Sequence, residues 1–145
     1  MIRFQFSLDI ARPPAEVFAY VTDAERLPEW QSSAVEAQWQ GEKAPGARIR
    51  EVRKFLGRRM DSELEVTEYE PDRLFGLKAL SGPVPFSVHQ TLEPSDGGTR
   101  LTFVGEGEPG GFFKLAEPVV GRVAERQFKN DFETMKDILE GGATG

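Results

Sequence analysis

The chain offers few side chains that could carry covalent catalysis. It has no cysteine and one histidine, His89, so a cysteine–histidine pair is excluded and a serine–histidine–acid triad would need that histidine. In the predicted strand 85–93, the even-numbered residues Phe86, Val88 and Leu92 lie on one face, and the odd-numbered His89 lies on the other. If the apolar set faces the core, His89 faces solvent. This orientation argues against a histidine-dependent hydrolase.

Neither a metal site nor a nucleotide site is indicated by residue spacing. No cluster of histidines, cysteines or acids has the spacing of metal ligands. The glycine-rich stretch 105–111 lacks the lysine of a phosphate-binding loop, and its two glutamates would repel phosphate. We interpret this stretch as an entry loop before the last helix, and we expect no cofactor.

A charged pair on one predicted strand, Glu51 and Arg53, is the main candidate for chemistry. In the segment 47–56, these two residues share a face with Ile49 and Phe55, while the opposite face is more basic and better suited to water. Buried charges are costly unless they are paired, and residues at i and i+2 can pair. Arg53 could polarise a ligand carbonyl and Glu51 could act as a base. The alternative is that both line a cavity wall or a wet rim without a catalytic role.

The elements that position these side chains follow from hydrophobic periodicity. Residues 2–11 alternate between apolar and polar, which predicts a half-buried strand. Pro13 and Pro14 then precede a short helix that closes at Thr22-Asp23, and a second short helix is predicted near Arg26–Trp30. Alternation returns at residue 34 and predicts six more strands, at 34–40, 47–56, 59–69, 73–80, 85–93 and 99–106.

Short turns between these six strands imply an antiparallel meander. The segment 112–140 carries apolar residues at helical spacing, which predicts a long amphipathic helix. Its apolar stripe consists of Val120, Ala124, Phe128, Phe132, Met135 and Leu139. Residues 1–142 are expected to form one domain, with 143–145 as a disordered tail. The order of elements predicts an α+β helix-grip fold, in which a seven-stranded curved antiparallel sheet wraps around a long C-terminal helix, with two short helices after strand 1.

Several segments of the chain match a family pattern. They are the opening strand, Pro13 to Asp23, Leu27-Pro28-Glu29-Trp30, Gly46-Ala47-Arg48, Leu92-Glu93-Pro94, Gly98 to Thr102 and the helix ending Met135 to Glu140. In these segments the sequence resembles the SRPBCC superfamily of START-like helix-grip proteins, and within it the polyketide cyclase/dehydrase-like group. The resemblance implies the fold, because the matching positions are turns, caps and core residues. It implies function only broadly, since the family includes lipid and sterol carriers, hormone receptors and aromatic-polyketide cyclases.

A sheet that grips a helix leaves space between the two, and that space is where a ligand would bind. The aromatic residues exceed what one helix–sheet seam needs, which favours an aromatic-lined pocket with Trp30 and Phe113 near its opening. Gly76, Gly105 and Gly121 are expected to leave space where sheet and helix meet. The predicted ligand-binding residues are Trp30, Trp39, Glu51, Arg53, Phe55, Phe75, Phe86, Gln90, Phe103, Phe113, Val120 and Phe128.

Three functions remain open from the sequence. The first is binding of a small hydrophobic or aromatic molecule by a carrier or sensor. The second is a cyclase or dehydratase acting on a polyketide-like substrate, which needs an acid/base pair of perturbed acidity in the cavity. The third is a non-catalytic protein-interaction module, which a filled core would favour. A glutamate held ionised by an arginine is a weak base and suits the anchoring of a polar ligand group, so we expect binding rather than catalysis.

The overall charge and hydropathy restrict the partners. A formal net charge of −6 would repel a phosphate backbone, so no nucleic-acid partner is expected. No apolar run approaches the length that spans a bilayer, and the N-terminus lacks the apolar region of a secretion signal. A cytoplasmic protein that does not insert into membranes is therefore predicted. Neither the charge nor the hydropathy of the sequence indicates an oligomeric state.

Overall fold

The computed structural model describes residues 2–55, 57–81, 85–108 and 117–142. The strands in these ranges are β1 (Ile2–Ile10), β2 (Ala34–Gln40), β3 (Arg48–Phe55), β4 (Arg58–Glu70), β5 (Leu74–Ser81), β6 (Phe86–Ser95) and β7 (Gly98–Gly107). The helices are α1 (Pro14–Val21), α2 (Leu27–Trp30) and α3 (Glu117–Gly142), with a 3-10 turn, Ala24–Arg26, between α1 and α2.

All seven strands form one antiparallel sheet in the order β1-β7-β6-β5-β4-β3-β2. Strands β2 to β7 form a meander, and β1 pairs with β7 at the far edge. Because β1 and β2 lie on opposite edges, α1 and α2 carry the chain from one edge to the other. The sheet is curved around the long helix α3. The predicted α+β helix-grip fold is confirmed.

The predicted strand boundaries differ little from the observed ones. The largest difference is in β6, for which periodicity predicts an end at residue 93 and which ends at Ser95. The predicted helix 112–140 corresponds to α3, whose described part begins at Glu117. Residues 112–116, including Phe113, and the predicted tail 143–145 lie outside the described residues.

The apolar stripe of α3 has two different halves. In the C-terminal half, Phe132 and Met135 are fully buried. The ring centroid of Phe132 lies 4.9 Å from that of Trp30 and 5.1 Å from that of Phe103. In the N-terminal half, Phe128 is only partly buried. The helix therefore packs most tightly against the sheet at its C-terminal half.

The C-terminal end of α3 is fixed to the end of β1 by hydrogen bonds. Arg12 Nε donates to the carbonyl oxygen of Leu139 at 3.0 Å, and Lys136 Nζ donates to the carbonyl oxygen of Asp9 at 2.7 Å. The backbone N–H of Ala11 donates to Glu140 Oε2 at 2.8 Å. A helix leaves its last carbonyl groups without internal partners, and the Arg12 contact satisfies one of them. Among the described residues, no helix is long and apolar enough to cross a membrane.

Candidate functional site

A partly enclosed cavity of about 170 Å³ lies between the N-terminal half of α3 and the inner face of the sheet. This volume is comparable with the roughly 150 Å³ cavity that is known to hold one benzene ring. The apolar part of the wall consists of Ile2, Phe4, Met60, Phe86, Val88, Phe103, Gly105, Gly107, Val120, Ala124 and Phe128. The polar part consists of Gln31, Ser33, Glu51, Arg53, Ser62, Ser87, Glu106, Gln90 and Gln127.

Two glycines on β7 form the floor of the cavity. Gly105 is paired with Phe4 of β1 on one side and with Val88 of β6 on the other, and Gly107 follows two positions later on the same face. A Cβ at residue 105 would lie 3.0 Å from the ring of Phe4 and 3.1 Å from the ring of Phe103. Any side chain at residue 105 would therefore displace these rings, and glycine lets them line the wall where they are.

Glu51 and Arg53 meet in the wall as an ion pair. Arg53 Nε donates to Glu51 Oε1 at 2.7 Å, and Nη2 donates to Oε2 at 3.0 Å. The side chains of Arg53 and Glu51 are 15% and 5% exposed, respectively. Arg53 Nη1 also donates to Ser33 Oγ at 2.8 Å, and Nη2 donates to Gln31 Oε1. All three guanidinium nitrogens are thus bound to protein oxygens, and the two charges compensate each other.

Arg53 also contacts the helix side of the cavity. Its Cζ atom lies 5.9 Å from the ring centroid of Phe128 on α3, within the range of a cation–π contact. The centroids of Phe128 and Phe103 are 5.2 Å apart with nearly parallel rings. Arg53 and these two rings form a continuous part of the wall from β3 through α3 to β7.

Asp131 on α3 holds the segment between α2 and β2 next to this wall. Its Oδ1 accepts hydrogen bonds from the backbone N–H and the hydroxyl of Ser32, both at 3.1 Å. Ser32 stands between Gln31 and Ser33, the two partners of Arg53. Burial raises the pKa of Asp131 above its ordinary value, although the Ser32 hydrogen bonds and the charge of Arg53 act in the opposite direction.

The cavity brings together part of the predicted site. The predicted residues in its wall are Glu51, Arg53, Phe86, Gln90, Phe103, Val120 and Phe128. Phe55 lies at the end of β3, but its side chain, like residue Phe113, lies outside the described residues. Of the three glycines expected to leave space, Gly105 lines the cavity, whereas Gly76 and Gly121 are not part of its described wall.

The structure does not place Trp30 at the cavity opening, where the sequence predicts it. Trp30 is 3% exposed, is not part of the described cavity wall, and packs edge-on against Phe132. The short helix α2 is pressed against α3 instead of standing at the rim, because Asp131 ties the segment that follows α2 to the long helix. Trp30 therefore belongs to the packed core.

Trp39 and Phe75, which the sequence also predicts as ligand-binding residues, are not part of the described cavity wall. Both belong to a second aromatic cluster under α1, with ring centroids 6.1 Å apart. Phe18 of α1 and Tyr69 of β4 complete it, at 5.3 Å from each other. Trp39 Nε1 donates to the carbonyl oxygen of Thr22 at 2.8 Å. These rings hold the end of α1 on the sheet, with Phe18 and Phe75 buried and Trp39 and Tyr69 partly buried.

Sequence reasoning missed Met60 and Ser62 on β4, although a signal existed. Met60 is the cross-strand partner of Arg53, and Ser62 is that of Glu51. Directly opposed residues in an antiparallel pair point to the same face. The pairing of β3 with β4 could therefore have placed Met60 and Ser62 on the same inner face as Arg53 and Glu51. Gln31 lies in an irregular segment, where no periodicity indicates side-chain direction.

His89 lies outside the cavity, on the outer face of the sheet. Its side chain is 42% exposed, and its Nδ1 is hydrogen-bonded to the carboxylate of Glu68 on β4. Within the described ranges, no three histidine or acidic side chains are grouped so as to hold a metal ion. The ionisable side chains in the described cavity wall are Glu51, Arg53 and Glu106, and its other polar side chains are neutral.

Comparisons with known proteins agree with this architecture. Residues 1–140 match the family model described as polyketide cyclase / dehydrase and lipid transport. A protein from Thermus thermophilus has a TM-score of 0.84 at 15% identity, with 97% of this chain and 98% of that chain covered. A START superfamily protein from Mycobacterium smegmatis has a TM-score of 0.80 at 14% identity, with 97% of this chain and 99% of that chain covered.

A third neighbour is the di-domain ARO/CYC StfQ from the steffimycin biosynthetic pathway. It has a TM-score of 0.78 at 15% identity, with 99% of this chain and 52% of that chain covered. No match is found among curated proteins. At these identities the three structural neighbours show a shared fold, and they transfer no site residue to this chain.

Proposed function

The chain belongs to the polyketide cyclase/dehydrase and lipid transport family, and from that premise we propose that it binds a small hydrophobic or aromatic molecule between α3 and the sheet. The observation that carries the proposal is the cavity itself. The surface of its wall is mostly apolar, although nine of the wall residues have polar side chains. Ligand sites in proteins typically have such a mostly apolar wall. A carrier or a sensor would need nothing more from the site.

The state of Glu51 favours binding over turnover. Each of its carboxylate oxygens accepts a hydrogen bond from Arg53. A general base for cyclisation or dehydration must point an oxygen at the proton that it removes, whereas both oxygens of Glu51 point at the guanidinium of Arg53. StfQ is named a cyclase, but a shared fold at 15% identity does not transfer that activity to this chain. The cyclase or dehydratase therefore remains the alternative.

Filling the cavity tests the proposal. Ala124 lies on the helix wall, and Ala124→Leu would place three additional carbons in the space. The matched control is Thr134→Leu, at an exposed position of the same helix. The probe is 2-naphthol, with binding followed by its fluorescence anisotropy. We expect saturable binding to the native protein, a loss of affinity of about tenfold or more in Ala124→Leu, and no change in Thr134→Leu.

Two results would overturn the proposal. One is a native protein that does not bind 2-naphthol, or that binds it as well after Ala124→Leu. The other is turnover: if the purified protein cyclises or dehydrates a poly-β-ketone, and Glu51→Gln abolishes that reaction while binding persists, the cyclase alternative is correct.

A further inference from the structure

The cavity wall contains a buried amide that the protein leaves unsatisfied. Gln90 on β6 is 5% exposed, and its Oε1 is fully buried without a hydrogen-bond partner among the described residues. A buried acceptor without a partner loses its hydration with no compensation, so such groups are rare in folded proteins. Among the described residues, Trp30 Nε1 and Asp131 Oδ2 are also unsatisfied, but neither residue lines the cavity. Gln90 does line it, so a molecule bound there could supply the missing partner.

The neighbours of Gln90 on the sheet do not supply the missing partner. Its cross-strand partner on β7 is Phe103, and its partner on β5 is Phe75. Both are buried aromatic residues without hydrogen-bonding side-chain groups. The amide of Gln90 is thus a polar group set between two aromatic side chains of the inner face.

The charges of the wall indicate that the ligand is neutral. Within the described part of the wall, Arg53 is the only cationic side chain, and its three nitrogens are already bound to protein oxygens. Glu51 is compensated by Arg53, and Glu106 lies 3.5 Å from Arg3 in a partly exposed ion pair. A charged ligand group would enter this apolar space without a free counter-ion, which is costly.

We propose that the ligand is a neutral, largely apolar molecule of one or two rings that carries a hydroxyl group, and that Gln90 binds this hydroxyl. A hydroxyl can donate to the amide oxygen or accept from the amide nitrogen, so it suits either end of Gln90. The size follows from the cavity volume of about 170 Å³. The inference rests on the proposed binding function and specifies the chemistry of its ligand.

Three probes of similar shape test the proposal: naphthalene, 2-naphthol and 2-naphthoate. The native protein should bind 2-naphthol about five- to tenfold more tightly than naphthalene, the effect of one net hydrogen bond. It should bind 2-naphthoate more weakly than either neutral probe. Gln90→Leu should abolish the preference for 2-naphthol while leaving the affinity for naphthalene within about twofold. Gln38→Leu, at an exposed position of β2, is the matched control and should change nothing.

The possible failures are distinguishable. If none of the probes binds the native protein, the proposed function itself is wrong. If naphthalene binds and Ala124→Leu blocks it, but Gln90→Leu keeps the preference for 2-naphthol, only the role of Gln90 is overturned. Tighter binding of 2-naphthoate than of the neutral probes would overturn the neutral ligand. Gln90→Met, which keeps the side-chain length, replaces Gln90→Leu if thermal melting shows that the leucine variant does not fold.

Discussion

At the residue scale, Arg53 connects the parts of the cavity wall. It pairs with Glu51 on its own strand, and it donates hydrogen bonds to Gln31 and Ser33 in the segment between α2 and β2. Its guanidinium also lies over the ring of Phe128 on α3. The sequence favours a role for the Glu51–Arg53 pair in anchoring a polar group of the ligand. Because four of its five N–H groups donate to protein oxygens, the main contribution of Arg53 is to hold the wall together.

Removing Arg53 should therefore destabilise the protein. Arg53→Met leaves the carboxylate of Glu51 buried without a counter-ion, and we expect a loss of about 3–5 kcal/mol in the free energy of unfolding. The double variant Glu51→Gln/Arg53→Met should lose less than the sum of the two single losses, because the unpaired charge is absent. Both values are measured by urea denaturation.

The matched control for Arg53→Met is Arg48→Met on the same strand. Arg48 pairs with Glu63 on the exposed face, where the two side chains are 59% and 42% exposed. Exposed pairs contribute less than about 1 kcal/mol, so Arg48→Met should cost little. Equal losses for the two arginine variants would show that burial of the Glu51–Arg53 pair has no energetic consequence.

At the scale of the elements, α3 combines a structural half and a binding half. Phe132 and Met135 are buried in the core, where Phe132 packs against Trp30, while Ala124 and Phe128 face the cavity. All four helix residues belong to the same apolar stripe in the sequence. Phe103 contacts both phenylalanines, with centroid distances of 5.2 Å to Phe128 and 5.1 Å to Phe132. The difference is that Trp30 of α2 also covers Phe132, whereas Phe128 shares the cavity wall with Gly105, which has no side chain.

Truncating Phe132 and Phe128 should lower the free energy of unfolding by different amounts in the two halves of α3. Phe132→Ala removes a fully buried ring and should lower the free energy of unfolding by about 3–5 kcal/mol. Phe128→Ala removes a ring that is already partly exposed to the cavity and should cost about 1–2 kcal/mol. Chemical denaturation measures both. Losses of equal size would contradict the division of the helix into a packed half and an open half.

At the scale of the whole molecule, the cavity lies between elements from both ends of the chain. Its wall includes β1 at the start, β6 and β7 in the middle and α3 at the end. A bound ligand would therefore touch the seam between sheet and helix, which must separate when the protein unfolds. A ligand that binds only the native state stabilises the native state by mass action.

Ligand binding should consequently raise the melting temperature. At a 2-naphthol concentration of about one hundred times the dissociation constant, we expect about 2.7 kcal/mol of added stability, or a shift of roughly 5–10 °C. Scanning calorimetry measures the shift, and Ala124→Leu under identical conditions should show almost none. A similar shift in this cavity-filled variant would mean that the probe stabilises the protein from another site.

The sequence by itself determined the order of the elements, the antiparallel meander and the face on which Glu51 and Arg53 lie. These features depend on local rules, because side-chain direction in a strand alternates with a period of two and short turns force neighbouring strands to pair. The alternation also put Phe86 on the face opposite to His89, and the structure places Phe86 in the cavity wall and His89 outside it.

Tertiary structure alone decided which aromatic residues face the cavity and which fill the core. Trp30 is buried because α2 is pressed against α3, and Trp39 is held away from the cavity by its hydrogen bond to the end of α1. Likewise, the partners of Arg53 at Gln31 and Ser33 come from an irregular segment with no periodicity. These contacts join residues far apart in the chain, and their geometry depends on how whole elements pack, which the period of a single segment does not encode.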